Sequence, residues 1–280
     1  MNRFCASLRV SVGIDRSDNA YEPITHTIFE INKEEGFRYI EEGDGLPIII
    51  LHGLMGGLSN FNGVITFFKD KGYKVLMPVL PIYDLPILKT SVRELSDFLD
   101  RFIKFKKIKK FVLVGNSLGG HIALYYTKIF NKANGLVLTG SSGLYEKGMG
   151  SGYTKRGDYN VMKKKVEEVF YDPKVANKQL VDEVFETVNN RNKLIKILAM
   201  AKSAIRHNMA KDLPKMKLPC LIIWGENDNV TPPEVGVEFN KLLPNSNLSW
   251  INKCGHAPMM EHPGKFNEIL LDWLKAKFKK

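Results

Sequence analysis

The stretch "VLVGNSLGGH" (residues 112–121) constrains this chain more than any other. An apolar run meets Gly115, Asn116, Ser117, Leu118, Gly119 and Gly120, so a buried strand gives way abruptly to a turn that carries one hydroxyl. A side chain set on a sharp strand-to-helix turn needs an unfavourable backbone. The positions two before and two after it are crowded, and both favour glycine. The pattern therefore predicts a strand before Ser117, a helix after it, and a hydroxyl aimed off the end of a sheet. A glycine-rich turn with a capping serine would give the same local pattern, so the rest of the chain has to decide.

Elsewhere short apolar runs alternate with helical periodicity, the signature of a mostly parallel sheet covered by helices on both faces. The runs "HTIFEIN" (26–32) and "FRYIEEG" (37–43) read as a hairpin, and "PIIILHG" (47–53) as a central strand. "YKVLMPV" (73–79), "KFVLVGN" (110–116) and "GLVLTG" (135–140) are further strands. "SVRELSDFLDRFIKF" (91–105) is a helix with a capping serine and a glutamate three residues on. From Ser141 to Leu213 no strand-like run occurs. "KQLVDEVFETVNNR" instead puts Leu180, Val181, Val184, Phe185 and Val188 on one helical face. Alternation resumes at "PCLIIWGEND". These observations predict an amino-terminal extension (1–21), an α/β core (22–140 and 214–280) and a helical insertion (141–213).

A weak alcohol nucleophile needs a base, and the base needs an acid to orient it. Glu226 and Asp228 follow the strand "LIIWG", and His256 follows "LSWIN". Both exit loops fall at the strand ends where open parallel sheets gather their reactive groups. The glycines of "HGLMGG", after another buried strand, would let backbone N–H groups approach a ligand.

The 280 residues are 44% hydrophobic and 25% charged, as in ordinary soluble globular chains. The formal charge of +11 is spread along helical patterns, without aromatic interleaving or a reading module, which argues against nucleic acid. No run reaches the ~18 apolar residues of a membrane span, so stable membrane insertion is not expected. Arg9 interrupts the amino-terminal apolar stretch, so no signal core develops. Cys5, Cys220 and Cys254 have no metal-ligand spacing and fit reduced thiols of a cytoplasmic protein. Nothing in the residues specifies an oligomeric state.

From about residue 26 onward, His52-Gly53, the turn at Ser117, "WGENDNVTPP" and "CGHAPMMEHP" resemble the α/β-hydrolase superfamily. The resemblance implies Ser117 as nucleophile, His256 as general base and then acid, and Asp228 rather than Glu226 as its partner. It implies an oxyanion hole made by the backbone N–H groups of Leu54 and Leu118, a helical cap over the site, and no metal or organic cofactor. The expected activity is hydrolysis of a small ester or related acyl compound (a carboxylesterase-like reaction of class EC 3.1). Asn116 and the cap also resemble the meta-cleavage-product hydrolases, which cut carbon–carbon bonds (EC 3.7). Against that, Ala257 stands where those enzymes commonly have tryptophan, and "HGLMGG" replaces their oxyanion loop. Perhydrolysis would share the triad, whereas haloalkane dehalogenation would need an aspartate at 117. A ligand-binding protein without turnover is the reading of another class. His52, His121 and His262 read as structural, and Tyr145, Arg191, Arg206 and His207 as surface or packing residues near the insertion.

Overall fold

Successive side chains of the central strands enter different cores. Ile48 and Ile50 pack on one side of the sheet, and Ile49 and Leu51 on the other. Both faces are thus apolar, which explains why "PIIILHG" is a continuous run rather than an alternating one. The computed structural model describes residues 28–145 and 155–278.

The strands are β1 (Asn32–Glu34), β2 (Phe37–Glu42), β3 (Leu46–Leu51), β4 (Tyr73–Pro78), β5 (Val112–Asn116), β6 (Gly135–Thr139), β7 (Cys220–Gly225) and β8 (Ser246–Ile251). They form one sheet in the order β1-β2-β4-β3-β5-β6-β7-β8. β1 and β2 run antiparallel, and the pairs from β4 to β8 are parallel. This is the α/β-hydrolase architecture. One expectation needs correction: a strand is expected over 26–32, whereas among the described residues the first strand spans 32–34. Its register pairs Asn32 with Tyr39 across a turn at Glu35 and Gly36, both at positive φ. Residues 28–31 carry no strand; residues 26 and 27, with the expected extension 1–21, lie outside the described residues.

Helices α2 (Val92–Phe105), α3 (Leu118–Phe130) and α7 (Pro233–Leu242) pack on one face, with Leu99, Phe102, Tyr126 and Phe239 buried. Helices α1 (Asn62–Lys69) and α9 (Pro263–Lys277) cover the other, with Phe68, Phe266 and Leu270 buried. α2 starts as the sequence implies: the Ser91 side chain accepts the Glu94 N–H at 3.2 Å.

Between β6 and β7 lie α4 (Tyr159–Glu167), α5 (Lys178–Asn189) and α6 (Arg191–Arg206). Among the described residues of 141–213 there is no strand. Val181, Val184 and Val188 of α5 are buried, while Leu180 and Phe185 of the same face are partly so. Part of the glycine-rich approach to this segment (146–154) lies outside the described residues. No helix among the described residues is long and apolar enough to cross a membrane.

Strand order decides where a ligand fits. The chain leaves β3 to one side for β4 and later returns to its other side for β5. Such a switch opens a crevice beyond the carboxyl ends of the strands. Gly53 follows β3 and Ser117 follows β5, at that crevice.

Candidate active site

Ser117 has φ 53° and ψ −120°, outside the regions open to an ordinary L-residue. Its neighbours hold it there. The Ser117 N–H donates to Thr139 O (3.1 Å), and its carbonyl accepts from the N–H groups of Gly120, His121 and Ser142. The flanking glycines answer to contact: a β-carbon at 115 would sit 2.4 Å from Gly120 N, and one at 119 would sit 2.0 Å from Leu51 O. Backbone, not side chains, would be struck. That is why no other residue serves.

Asp228 and His256 are brought together although 28 residues apart. His256 Nδ1 lies 2.9 Å from Asp228 Oδ2 and 3.1 Å from Oδ1, and both side chains are buried. A carboxylate facing Nδ1 puts the ring proton there and leaves the Nε2 lone pair for another partner. The carboxylate is itself held: Val230 and Thr231 N–H groups donate to Oδ1, and the Thr231 hydroxyl donates to Oδ2 at 2.9 Å. Thr231 Oγ1 also lies 3.2 Å from His256 Nδ1. Asn116 ties the histidine to the turn, its amide donating to Thr139 O (3.0 Å) and His256 O (3.1 Å). Glu226, the other acid of this loop, is exposed, whereas Asp228 is buried.

Ser117 and His256 line one cavity of about 280 Å³. Leu54 and Asn116 contribute to its floor, and Met162, Val166, Phe170, Leu180 and Val184 reach it from α4, α5 and the link between them. Among the described residues, the charged side chains on its wall are Lys165 and Glu168. Leu118 is the first residue of α3, where helical N–H groups lack intrahelical partners.

His52 braces the neighbouring loop. Leu80 N–H donates to its Nε2 (3.2 Å), so Nδ1–H donates to Gly53 O (2.9 Å), and burial pushes its pKa down. His121 is fully buried with Nε2 2.9 Å from His207 O; burial pushes its pKa down to about 4. His262 Nε2 contacts Lys253 O, away from the cavity. Tyr145, Arg191 and Arg206 are exposed, and His207 packs edge-on against Tyr125. None of these four lines the cavity. Thr231 and Glu261 escaped sequence reasoning. The acid-then-threonine spacing of Asp228 and Thr231 is a local capping pattern that could have flagged the first.

Fold, switch-point cavity and strained serine together define an α/β-hydrolase. Residues 82–263 match the family model described as serine aminopeptidase, S33, and the chain belongs to that family. A 2-hydroxy-6-oxononadienedioate/2-hydroxy-6-oxononatrienedioate hydrolase of Pseudomonas sp is 26% identical, over 84% of this chain and 90% of that protein. Lipase 1 of Psychrobacter immobilis is 27% identical, over 80% of this chain and 75% of its own. Among solved structures, the α/β-hydrolase enzyme MGS-MChE2, from a sediment metagenome of the lagoon of Mar Chica, Morocco, is 54% identical. It covers 88% of this chain and 98% of its own, with a TM-score of 0.74.

Proposed function

We propose that the protein is a serine hydrolase that cleaves small, largely apolar carboxylic esters through Ser117, His256 and Asp228. The carrying observation is the joint placement of a strained Ser117 and an Asp228-bound His256 on one cavity wall. In the reaction, the Ser117 oxygen attacks the ester carbonyl carbon while its proton passes to His256 Nε2. Backbone N–H groups of Leu54 and Leu118 stabilise the negative oxygen of the tetrahedral intermediate. The intermediate collapses with loss of the alkoxide, which takes the proton from His256, and an acyl-Ser117 ester remains. Water, deprotonated by His256, attacks that ester; the second collapse releases the acid and restores the serine. The segment 141–213 acts as a cap, its α4 and α5 side chains selecting the acyl group.

The wall chemistry favours esters over carbon–carbon cleavage. The Pseudomonas relative is described as acting on dienedioates, which carry two carboxylates. Here, among the described residues, the wall offers one cation, Lys165, and one acid, Glu168, among methionine, valine, leucine and phenylalanine side chains. A cavity of about 280 Å³ suits a short acyl chain. Turnover of short-chain nitrophenyl esters, compared with that of a dienol ring-fission product, tests the reading. Ester hydrolysis lost in Ser117→Ala is the expected result. Preferential cleavage of the ring-fission product would move the activity to the carbon–carbon class, and no turnover of either by folded protein would favour a binder.

A further inference from the structure

We propose that Glu261 is a positioning residue that clasps the His256 loop to the helical segment, so that the base is held in place only while that segment is seated over the cavity. Glu261 closes the short helix α8 (Pro258–Glu261). Its carboxylate is shared between two elements. Oε1 accepts the N–H groups of Tyr171 (2.6 Å) and Asp172 (3.1 Å), just beyond α4, and Oε2 accepts the N–H of Gly255, next to His256. The two sides are also joined directly: His256 N–H donates to Val169 O at 2.9 Å. The backbones approach so closely that a β-carbon on Gly255 would fall 2.5 Å from Val169 O and 2.9 Å from Phe170 Cα. Val169 and Phe170 line the cavity, whereas Glu261 does not. The main chain of His256 is thus gripped on its amide side by the helical segment and on its carbonyl side by Asn116 of the serine turn.

A carboxylate can accept on both oxygens, but a carboxamide has one acceptor and one donor. Glu261→Gln can therefore keep only one side of the clasp, turning its NH₂ toward an N–H on the other. Glu261→Asp is one methylene shorter and does not span the gap. Because the side chain is off the cavity wall, it reaches substrate only through His256 and through Val169 and Phe170, so the loss falls more on kcat than on KM.

The inference rests on His256 being the base, and the experiment separates the two. Amide hydrogen exchange of the full chain reads the clasp without any turnover. In the wild type, Tyr171, Asp172, Gly255 and His256 are expected to open at a common rate. In either variant these amides exchange faster while those of β5 keep their protection. Nitrophenyl ester kinetics then read the consequence: kcat falls at least about tenfold, with KM within about threefold of wild type. Independent opening of the two sides in the wild type overturns the clasp, as does unchanged exchange in a variant. Faster exchange with wild-type kcat overturns its role in positioning. A wild type that turns over no ester but shows common opening strikes the hydrolase reading and leaves the clasp standing.

Discussion

Ser117 holds a backbone conformation that costs on the order of 1–3 kcal/mol, and four backbone hydrogen bonds over-determine it. Gly119→Ala is expected to be among the most damaging single changes, because its β-carbon meets Leu51 O at 2.0 Å and backbone has to move. Loss of soluble, cooperatively melting protein would show it; a variant with wild-type melting would contradict it. Thr231→Val keeps the shape but removes the hydroxyl that donates to Asp228. A hydrogen bond to a charged group is worth about 1.5 kcal/mol or more, so kcat is expected to fall roughly tenfold. Ester kinetics at fixed pH check this, and an unchanged kcat contradicts it. Ser117, the pair Glu226 and Asp228, and His256 stand out in the sequence because each follows an apolar run, and the family resemblance singles out Asp228 from the pair. Glu261 does not, since its contacts with Tyr171 and Asp172 join segments far apart in the chain, and the same holds for the bond from Asn116 to His256 O. Thr231 lies three residues from Asp228 and was legible as a local capping pattern.

Elements behave as their local chemistry dictates where the signals are strong. α2 has a serine cap, a glutamate three residues later and a buried stripe ending in Phe102 and Ile103. Ser91→Ala is expected to cost about 1 kcal/mol, read as a lower urea midpoint with an unchanged slope. Phe266→Ala empties a fully buried site under the sheet and is expected to cost about 3–5 kcal/mol. A cost below about 1 kcal/mol would mean that the site collapses without residual cavity. Legibility failed at β1. The run 26–32 is apolar enough for a strand, but pairing is set by the tight turn at Glu35 and Gly36, which shifts the strand to 32–34. Helical periodicity in 178–206 was plain, yet which residues of α4 and α5 face the cavity depends on how the helices dock, and no local pattern encodes that.

At the scale of the molecule, parallel order around β3 and β5 makes the crevice, and the helical segment makes its far wall. The same burial gives stability a pH dependence. His52 and His121 are buried with pKa values pushed down, His121 from its ordinary 6.5 to about 4. The unfolded chain then binds protons that the folded chain does not, so stability is full above about pH 6.5 and falls as pH drops toward 4. For His121 alone the loss is on the order of 3 kcal/mol. Urea unfolding at pH 7 and pH 4.5 measures it, and His121→Gln is expected to shrink the difference; equal shrinkage failing to appear would assign the acid sensitivity elsewhere.

The most direct test of the whole account is reaction with a fluorophosphonate, followed by mass mapping of the adduct. One adduct on Ser117 is expected, absent from Ser117→Ala and slowed at least about a thousandfold in His256→Ala. Folded wild-type protein that stays unlabelled, or that carries the adduct on another residue, would contradict the claim that this serine is an activated nucleophile.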